Sequence, residues 1–382
     1  MGHPTQRPKK QEHERFPSFC VVYPSVLNTK KDVAFHFVYN DIPSCITIQW
    51  KTTLFGGSMR YGEIPGLNKP VARIVQGSTM IGSDLDEAKT FTLLDQVYEL
   101  GCNTIDTAHV YSGGNSERLI GRWMQTRGLR DKIVIITKGG AHSEDRRRMT
   151  PFDITSDLYD SLARLKTNYI DLYLLHRDDP NLPVEPIIDI LNEHQSAGRL
   201  HIFGASNWSH QRIEAANTYA QANGLEPFVV SSPQFSLVES LGEPWPLCLT
   251  ISGSAGAVAR AWYQHTQMPL LAWSPLASGF FSGRFRRDNL HTFGEREWDR
   301  VCVQTYASEE NFQRLDRAGI LAAEKGLTAA QVALAYVLNQ PMNVFAAVGP
   351  SSSEKFRANV DASDVRLTPQ EMDWLDMRND SR

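Results

Sequence analysis

The feature that most constrains the fold is a regular alternation of short apolar runs and helical patterns that begins at Val71. The units recur at intervals of roughly 30 residues, which is typical of strand–helix–strand units and a parallel sheet. The predicted strands are 71–76, 102–106, 132–138, 169–175, 200–206, 227–232, 269–274 and 343–349. Several are apolar almost throughout, as expected of strands buried on both faces. Eight such units in series predict an α/β protein with a (β/α)8 barrel, the TIM barrel, because an open doubly wound sheet rarely contains so many.

The first 58 residues do not follow this repeat. Their polar start predicts partial disorder, and the runs VAFHFVY (33–39) and CITIQW (45–50) are candidate short strands. Residues 59–73, MRYGEIPGLNKPVAR, predict a strand and a Pro-Gly turn that lead into the first barrel strand. We therefore expect an N-terminal extension over 1–58 and one barrel domain over 59–382.

Charge and cysteine content exclude several classes of protein. The 39 Lys and Arg residues nearly balance the 43 Asp and Glu residues, and the net charge of −4 gives no reason to expect nucleic acid as a partner. No apolar run approaches the ~18–20 residues that cross a bilayer, so no membrane partner is expected. The five cysteines are scattered without a CxxC pair, which argues against a disulfide framework or a metal site and favours a cytoplasmic location.

Two segments interrupt the repeat after the sixth and seventh strands. Residues 237–249 contain Pro244, Trp245 and Pro246, and residues 274–309 are long and rich in Gly, Arg and Phe. Long loops in compact domains are usually functional. We expect the substrate pocket to be lined by the loop 141–149, the Trp245 loop and the Phe280–Phe281 loop.

Four polar residues follow the predicted strand ends. Asp106 and Lys138 end the second and third strands, His176 follows the fourth, and Tyr111 comes shortly after Asp106. Active-site residues of such barrels lie at the carboxyl ends of the strands, so these side chains are expected to converge. Each one alone has a structural interpretation as well: a hydrogen-bonded histidine, a turn-capping aspartate and a solvent-facing lysine.

These residue types suit the reduction of a carbonyl group. A tyrosine is a weak acid at neutral pH, and a neighbouring lysine cation lowers its pKa by favouring the phenolate. An aspartate keeps the buried lysine charged, and a neutral histidine polarises the substrate oxygen. The expected catalytic set is therefore Tyr111 as general acid, Lys138 as its tuner, Asp106 as the partner of the lysine and His176 as the substrate-orienting group.

The stretch NTIDTAHVYSGGNSE (103–117) resembles the D-x-A-x-x-Y-G-x-x-E signature of the aldo-keto reductases. Five further blocks of that family have counterparts in the same order: IITKGG (135–140), YIDLYLLHRDD (169–179), FGASNWS (203–209), PQFSLVE (233–239) and LLAWSPLASG (270–279). The resemblance covers about residues 59–378. It implies a barrel that binds NAD(P)H in extended form.

The resemblance also implies cofactor contacts. It places Ser206, Asn207 and Gln234 on the nicotinamide carboxamide, and Trp273 on the nicotinamide ring, where the family more often has Tyr. Leu276 and Ser278 follow along the cofactor groove. Further residues match the segment for the adenosine 2′-phosphate and adenine, namely Ser351, Ser352, Lys355 and Asn359.

One departure from the family pattern concerns the choice of cofactor. Ser351 stands where many members have Arg or Lys, so the expected preference for NADPH over NADH depends largely on Lys355, with Arg357 nearby. A phosphate at a helix N-terminus is stabilised by free N–H groups and a nearby cation.

The function predicted from the sequence is reversible reduction of an aldehyde or ketone, and the expected partner is a small carbonyl substrate. The alternative is a cofactor-sensing regulatory subunit on the same barrel, since the family includes potassium-channel β subunits. A metal-dependent lyase or hydrolase is not supported, because no His and carboxylate cluster follows the strands. The expected assembly is a monomer or a weak homo-oligomer.

Overall fold

The computed structural model describes residues 22–26, 33–37 and 58–382. The chain divides into two compact units, Met1–Gly56 and Gly57–Arg382. In the first unit, β1 (Val22–Val26) pairs antiparallel with β2 (Val33–Phe37). The strand predicted at 33–39 is thereby confirmed over its first five residues, and the strand predicted at 45–50 lies outside the described residues.

The second unit is built on a closed barrel of eight parallel strands. The strands are β5 (Ile74–Gly77), β6 (Thr104–Asp106), β7 (Val134–Gly139), β8 (Ile170–Leu175), β9 (Leu200–Ser206), β10 (Val230–Ser232), β11 (Leu270–Trp273) and β12 (Val344–Val348). Neighbours in sequence are neighbours in the sheet, and β12 pairs with β5 to close it. The predicted (β/α)8 fold is confirmed.

A short hairpin precedes the barrel at its amino end. Its strands, β3 (Tyr61–Gly62) and β4 (Val71–Ala72), pair antiparallel, as the sequence around the Pro-Gly turn predicts. Ile64 in the turn region is buried in the same apolar cluster as the barrel interior. The hairpin therefore closes the end of the barrel opposite to the carboxyl ends of the strands.

Eleven helices are present in the described part of the chain, and most of them cover the outside of the barrel. They are α1 (Glu87–Glu99), α2 (Asn115–Arg127), α3 (Pro151–Leu165), α4 (Glu185–Ser196), α5 (His210–Ala222), α6 (Ala257–Thr266), α7 (Glu297–Tyr306), α8 (Glu309–Lys325), α9 (Ala329–Leu338), α10 (Ser353–Ala362) and α11 (Pro369–Leu375). Three begin with a reciprocal capping box, at Thr150, Thr328 and Thr368. Such caps satisfy the free N–H groups of the first turn and fix where each helix starts.

Two kinds of apolar core stabilise this unit. Inward-facing residues such as Val75, Ile136 and Leu172 fill the barrel interior. Outward-facing residues such as Ile135 and Tyr173 pack against the helices in a larger cluster. The alternation of the two sets along β7 and β8 is the period of two that a strand imposes on its side chains.

The segment 274–309 is more ordered than the sequence suggests. It contains a short turn at Ala277–Ser282 and the helix α7, although an irregular loop is predicted there. Phe280 and Phe281 are fully buried, and Phe280 packs on Phe312. The rings of these two phenylalanines belong to a third apolar core beneath the segment, and the lining of the substrate pocket by the Phe280–Phe281 loop stays a prediction.

Among the helices in the described ranges, no single one is long and apolar enough to cross a membrane. Only α8 and α9 taken together reach that threshold, across a bend of 98°.

A close contact between α2 and the end of α3 supplies a stability test. A Cβ on Gly121 in α2 would lie 2.5 Å from the Arg164 carbonyl oxygen and 2.7 Å from the Leu165 backbone. We expect Gly121→Ala to lower the free energy of unfolding by about 1–3 kcal/mol, because backbone atoms cannot move aside cheaply. The measurement is urea denaturation followed by circular dichroism.

Gly319 is the matched control for this substitution. It lies in α8, and a Cβ there would meet no atom within 4 Å. Gly319→Ala is expected to stabilise the protein by about 0.5–1 kcal/mol through the better helix propensity of alanine. Equal changes in the free energy of unfolding for Gly121→Ala and Gly319→Ala would show that α2 and α3 are not tightly packed at this contact.

Candidate active site

The carboxyl ends of the strands bring a set of polar side chains to one rim of the barrel. Ile136 in β7 and Leu174 in β8 face the interior, so Lys138 and His176, each two positions later, lie on the same inward side. Asp106 ends β6, and Tyr111 opens the short turn Tyr111–Gly114 that follows. The four residues that the sequence predicts to converge are therefore brought together.

The contacts among these groups form a chain. The Lys138 Nζ atom lies 2.7 Å from Asp106 Oδ1 and donates hydrogen bonds to the Thr107 carbonyl oxygen at 2.9 Å and to the Tyr111 hydroxyl at 3.3 Å. The Tyr111 and His176 rings meet edge to face, with their centroids 5.7 Å apart. Asp106, Lys138 and His176 are all buried. One cation is thus shared between a carboxylate and a phenol at the base of the rim.

For both members of the ion pair, burial and the charge of the partner shift the pKa in opposite directions. Burial raises the pKa of Asp106, and the nearby Lys138 ammonium opposes that shift. For Lys138, burial favours the neutral amine, but Asp106 and Tyr111 outweigh it and the pKa lies above its usual value. Lys138 is therefore a permanent cation at neutral pH.

Burial also raises the pKa of Tyr111, and Lys138 lowers it only in part. The sequence-based expectation was that the lysine would lower this pKa, and the structure shows its effect outweighed by desolvation. Tyr111 consequently holds its proton throughout the neutral range and is available as a donor.

His176 is neutral. Burial lowers its pKa well below the usual value, and the positive charges of Arg177 and Lys138 lower it further. Its Nδ1 atom is buried and has no hydrogen-bond partner among the described residues. A neutral imidazole beside Tyr111 can donate one N–H to an oxygen placed between the two rings.

The residues expected at the nicotinamide carboxamide follow β9 and β10. Ser206 ends β9 and donates to the Ser232 carbonyl oxygen at 2.8 Å. Asn207 has a positive φ of 63° and donates to the His176 carbonyl oxygen at 3.0 Å. Its Oδ1 accepts from Trp273 Nε1 at 3.2 Å. Asn207 thereby connects the backbone of His176 to Trp273, which ends β11 and is partly exposed.

Gln234 is more deeply buried than its predicted contact with the nicotinamide carboxamide suggests. It is fully buried, its Nε2 donates to Ser236 Oγ at 2.8 Å, and its Oε1 accepts from the Thr250 and Ser252 hydroxyls. The amide group is thus engaged with the loop that precedes α6. A contact between Gln234 and a ligand would have to replace or share one of these protein partners.

A left-handed turn follows Trp273. Ala277, Ser278 and Gly279 have φ values of 50°, 53° and 87°. Ser278 Oγ is buried without a partner in normal hydrogen-bond geometry in this part of the fold, and Leu276 is partly exposed beside it. Within this turn the Ala277 and Gly279 N–H groups donate to the Ser274 and Leu276 carbonyl oxygens, which stabilises the left-handed conformation.

The last predicted group lies at the start of α10, after β12. Ser352 caps the helix by accepting from the Lys355 N–H, and Lys355 Nζ donates to Ser351 Oγ at 3.3 Å. Asn359 is buried one turn further along the helix. Two hydroxyls and a cation therefore meet at one helix N-terminus, whose first turn is capped by Ser352.

Sequence reasoning missed the ion pairs that hold the loop after β7. Arg146 pairs with Asp153, Arg148 pairs with Asp157, and both carboxylates belong to α3. The Arg146 guanidinium holds the pKa of Asp153 at about 2, against the effect of burial. The signal was present in the sequence, as three successive arginines placed a few residues before two acidic residues of one helix face.

Within the described ranges, no cluster of three or more His, Cys, Asp or Glu side chains is arranged to hold a metal ion. The acid–base groups around Lys138 are the chemistry that this rim provides.

Comparison with known proteins agrees with this geometry. The profile of the Aldo/keto reductase family matches residues 73–380. An aryl-alcohol dehydrogenase [NADP(+)] of Phanerodontia chrysosporium is 28% identical over 81% of this chain and 83% of its own length. A norsolorinic acid reductase of Emericella nidulans is 28% identical over 76% of this chain and 71% of its own length.

The fold has solved counterparts as well. A glycerol dehydrogenase from Gluconobacter oxydans superposes with a TM-score of 0.68 at 23% identity, covering 83% of this chain and 94% of that one. The profile match extends over most of the chain and includes all four residues of the rim. This chain belongs to the aldo/keto reductase family and is an oxidoreductase of that family.

Proposed function

We propose that this protein reduces an aldehyde or ketone to an alcohol, reversibly, with NADPH as hydride donor and Tyr111 as general acid. The observation that carries the proposal is the buried chain from Asp106 through Lys138 to the Tyr111 hydroxyl. The name of the Phanerodontia relative, with its NADP(+), supports the choice of cofactor and of reaction.

In this mechanism, the substrate carbonyl oxygen sits between the Tyr111 hydroxyl and the His176 imidazole. NADPH, when bound, supplies the hydride to the carbonyl carbon. Tyr111 then transfers its proton to the developing alkoxide, and the Lys138 cation stabilises the phenolate that remains. Asp106 keeps Lys138 charged and oriented, and neutral His176 polarises the carbonyl without adding a charge.

We propose that the residues beside this rim hold the nicotinamide dinucleotide. Trp273 is proposed to stack on the nicotinamide ring. The proposed hydrogen-bond partners of the carboxamide are Ser206, Asn207 and Gln234. The Ser278 hydroxyl and the left-handed turn after Leu276 are the proposed contacts of the phosphates. The partners are already hydrogen-bonded inside the protein, so they are fixed in place before the cofactor arrives.

Tyr111→Phe removes the proton donor and leaves the ring. We expect kcat for 4-nitrobenzaldehyde with NADPH to fall about 10²- to 10⁴-fold, the usual contribution of a general acid. The control is Tyr169→Phe, because the Tyr169 hydroxyl contacts Asp131 at the opposite end of the barrel. Turnover retained in Tyr111→Phe would overturn the assignment, and cofactor binding without turnover in the wild type would favour the regulatory alternative.

The pH dependence of the proposed reaction follows from the shifted pKa values of Tyr111 and His176. The pKa of Tyr111 is raised and that of His176 lies well below its usual value, so both keep their working protonation states from about pH 6 to about pH 9. We expect kcat/KM for reduction to be flat over this range. It should fall only at higher pH, where the acid Tyr111 loses its proton. A midpoint near neutrality, at a pH where the protein remains folded, would contradict this.

Lys355 is the proposed 2′-phosphate contact. Because it lies beside Ser351 at a helix N-terminus, we expect Lys355→Met to weaken NADPH binding about tenfold and to leave NADH binding unchanged. Fluorescence titration with each cofactor measures both. The control is Lys89→Met in α1, which removes an equally exposed cation elsewhere. An equal loss of affinity for NADPH and NADH would show that Lys355 does not bind the 2′-phosphate.

A further inference from the structure

Arg177 follows the proposed catalytic histidine directly, and the two acidic residues after it are engaged elsewhere. Asp178 lies 3.3 Å from Arg212, and Asp179 lies 3.3 Å from Arg147. Arg146 and Arg148 in the neighbouring loop also have carboxylate partners in α3. The acidic groups nearest to Arg177 in sequence therefore do not neutralise it.

The guanidinium of Arg177 makes only two hydrogen bonds in the described part of the chain, both to carbonyl oxygens. Its Nε donates to Pro246 at 3.2 Å, and its Nη1 donates to His176 at 2.9 Å. Among residues 58–382, no carboxylate oxygen lies within 4.0 Å of it. A guanidinium carries five N–H donors, so three remain for another group.

The charge of Arg177 acts on the catalytic rim. After burial, Arg177 is the strongest influence that lowers the pKa of His176, and it also lowers the pKa of His142 in the loop after β7. The hydrogen bond from Nη1 to the His176 carbonyl oxygen holds the guanidinium beside that residue. Lys138, the other cation here, is already matched by Asp106. Arg177 is thus a cation beside this rim without an ion pair of its own in the described part of the chain, and the nearest loop carboxylates, Glu243 and Glu297, bond the Leu247 N–H and the Trp245 indole.

An aromatic surface adjoins this charge. Pro246, which binds the Arg177 Nε, directly follows Trp245. The Trp245 ring lies 6.1 Å from Trp273 and 4.7 Å from Trp298, centroid to centroid. Trp298 is 39% exposed, so these rings form a wall that solvent and ligands reach. A flat aryl group would find both an apolar face and a cation within one small area.

We propose that Arg177 determines substrate specificity by binding a carboxylate on an aromatic aldehyde or ketone. The inference rests on the proposed function and names its substrate class. A half-buried cation without a counter-ion is costly, and a substrate carboxylate supplies the missing charge through charge-assisted hydrogen bonds. Arg177 has no part in proton transfer. It positions the ring so that the carbonyl reaches Tyr111 and His176.

The test compares 4-carboxybenzaldehyde with 4-nitrobenzaldehyde, whose nitro group is planar, similar in size and uncharged. The full-length protein is assayed with saturating NADPH. Wild type is expected to show kcat/KM about tenfold or more higher for the carboxylate. Arg177→Gln should raise KM for the carboxylate about 10- to 100-fold and change KM for the nitro compound by no more than about twofold.

Two variants separate recognition from a merely structural role. Arg147→Gln removes a neighbouring arginine that already has Asp179 as partner, and it should leave the discrimination intact. Arg177→Lys keeps the positive charge but lacks the planar guanidinium group. Relative to Arg177→Gln, it should restore part of the preference for the carboxylate substrate. Added salt should raise KM for the carboxylate alone in the wild type.

The outcomes distinguish this inference from the proposed function. An equal rise of KM for both aldehydes in Arg177→Gln, or no preference in the wild type, overturns the inference while the reductase function stands. Absence of turnover with either aldehyde overturns the function. Calorimetric titration with 4-carboxybenzyl alcohol then decides the inference: binding that Arg177→Gln abolishes supports it, and no binding to wild type overturns it.

Discussion

The closed parallel barrel is the constraint on which the rest of the molecule depends. Pairing of β12 with β5 leaves no free edge in the eight-stranded sheet and sends every strand's carboxyl end to one rim. Because side chains alternate along a strand, the inward residue that follows the apolar core of each strand must emerge at that rim. Lys138, His176 and Trp273 are such residues. Residues distant in sequence thus share one site without any special connection between them.

The barrel also makes a buried cation tolerable at this position. Lys138 would lose its proton if it were only desolvated, and Asp106 prevents this at a distance of 2.7 Å. The pair does not make Tyr111 acidic in the resting protein, because burial of the phenol outweighs the cation. In the proposed reaction, the stabilisation by Lys138 is therefore expected on the phenolate that would form when Tyr111 gives up its proton. This is differential stabilisation of the transition state over the ground state.

How much the sequence predicts depends on the range of the interaction. Strands were predicted because apolar runs are local signals, and the convergence of Asp106 with Lys138 follows once the barrel is assumed. The burial of Phe280 and Phe281 was missed, since a Gly-rich segment gives no local sign of the core under it. The internal hydrogen bonds of Gln234 were missed for the same reason: they depend on hydroxyls of a loop 16 and 18 residues later.

The charged residues likewise show that a bulk property of the sequence does not predict local contacts. A net charge of −4 over 382 residues indicates no partner of either sign, and the sum conceals how the ion pairs are distributed. In the run Arg177, Asp178, Asp179, the two carboxylates look sufficient to neutralise the arginine, yet the fold directs them to Arg212 and Arg147. Because these acidic residues pair with arginines of the surrounding loops, Arg177 is left without a carboxylate partner in the described part of the chain, beside the site of the proposed reaction. An anionic substrate is the group that this distribution of charge favours.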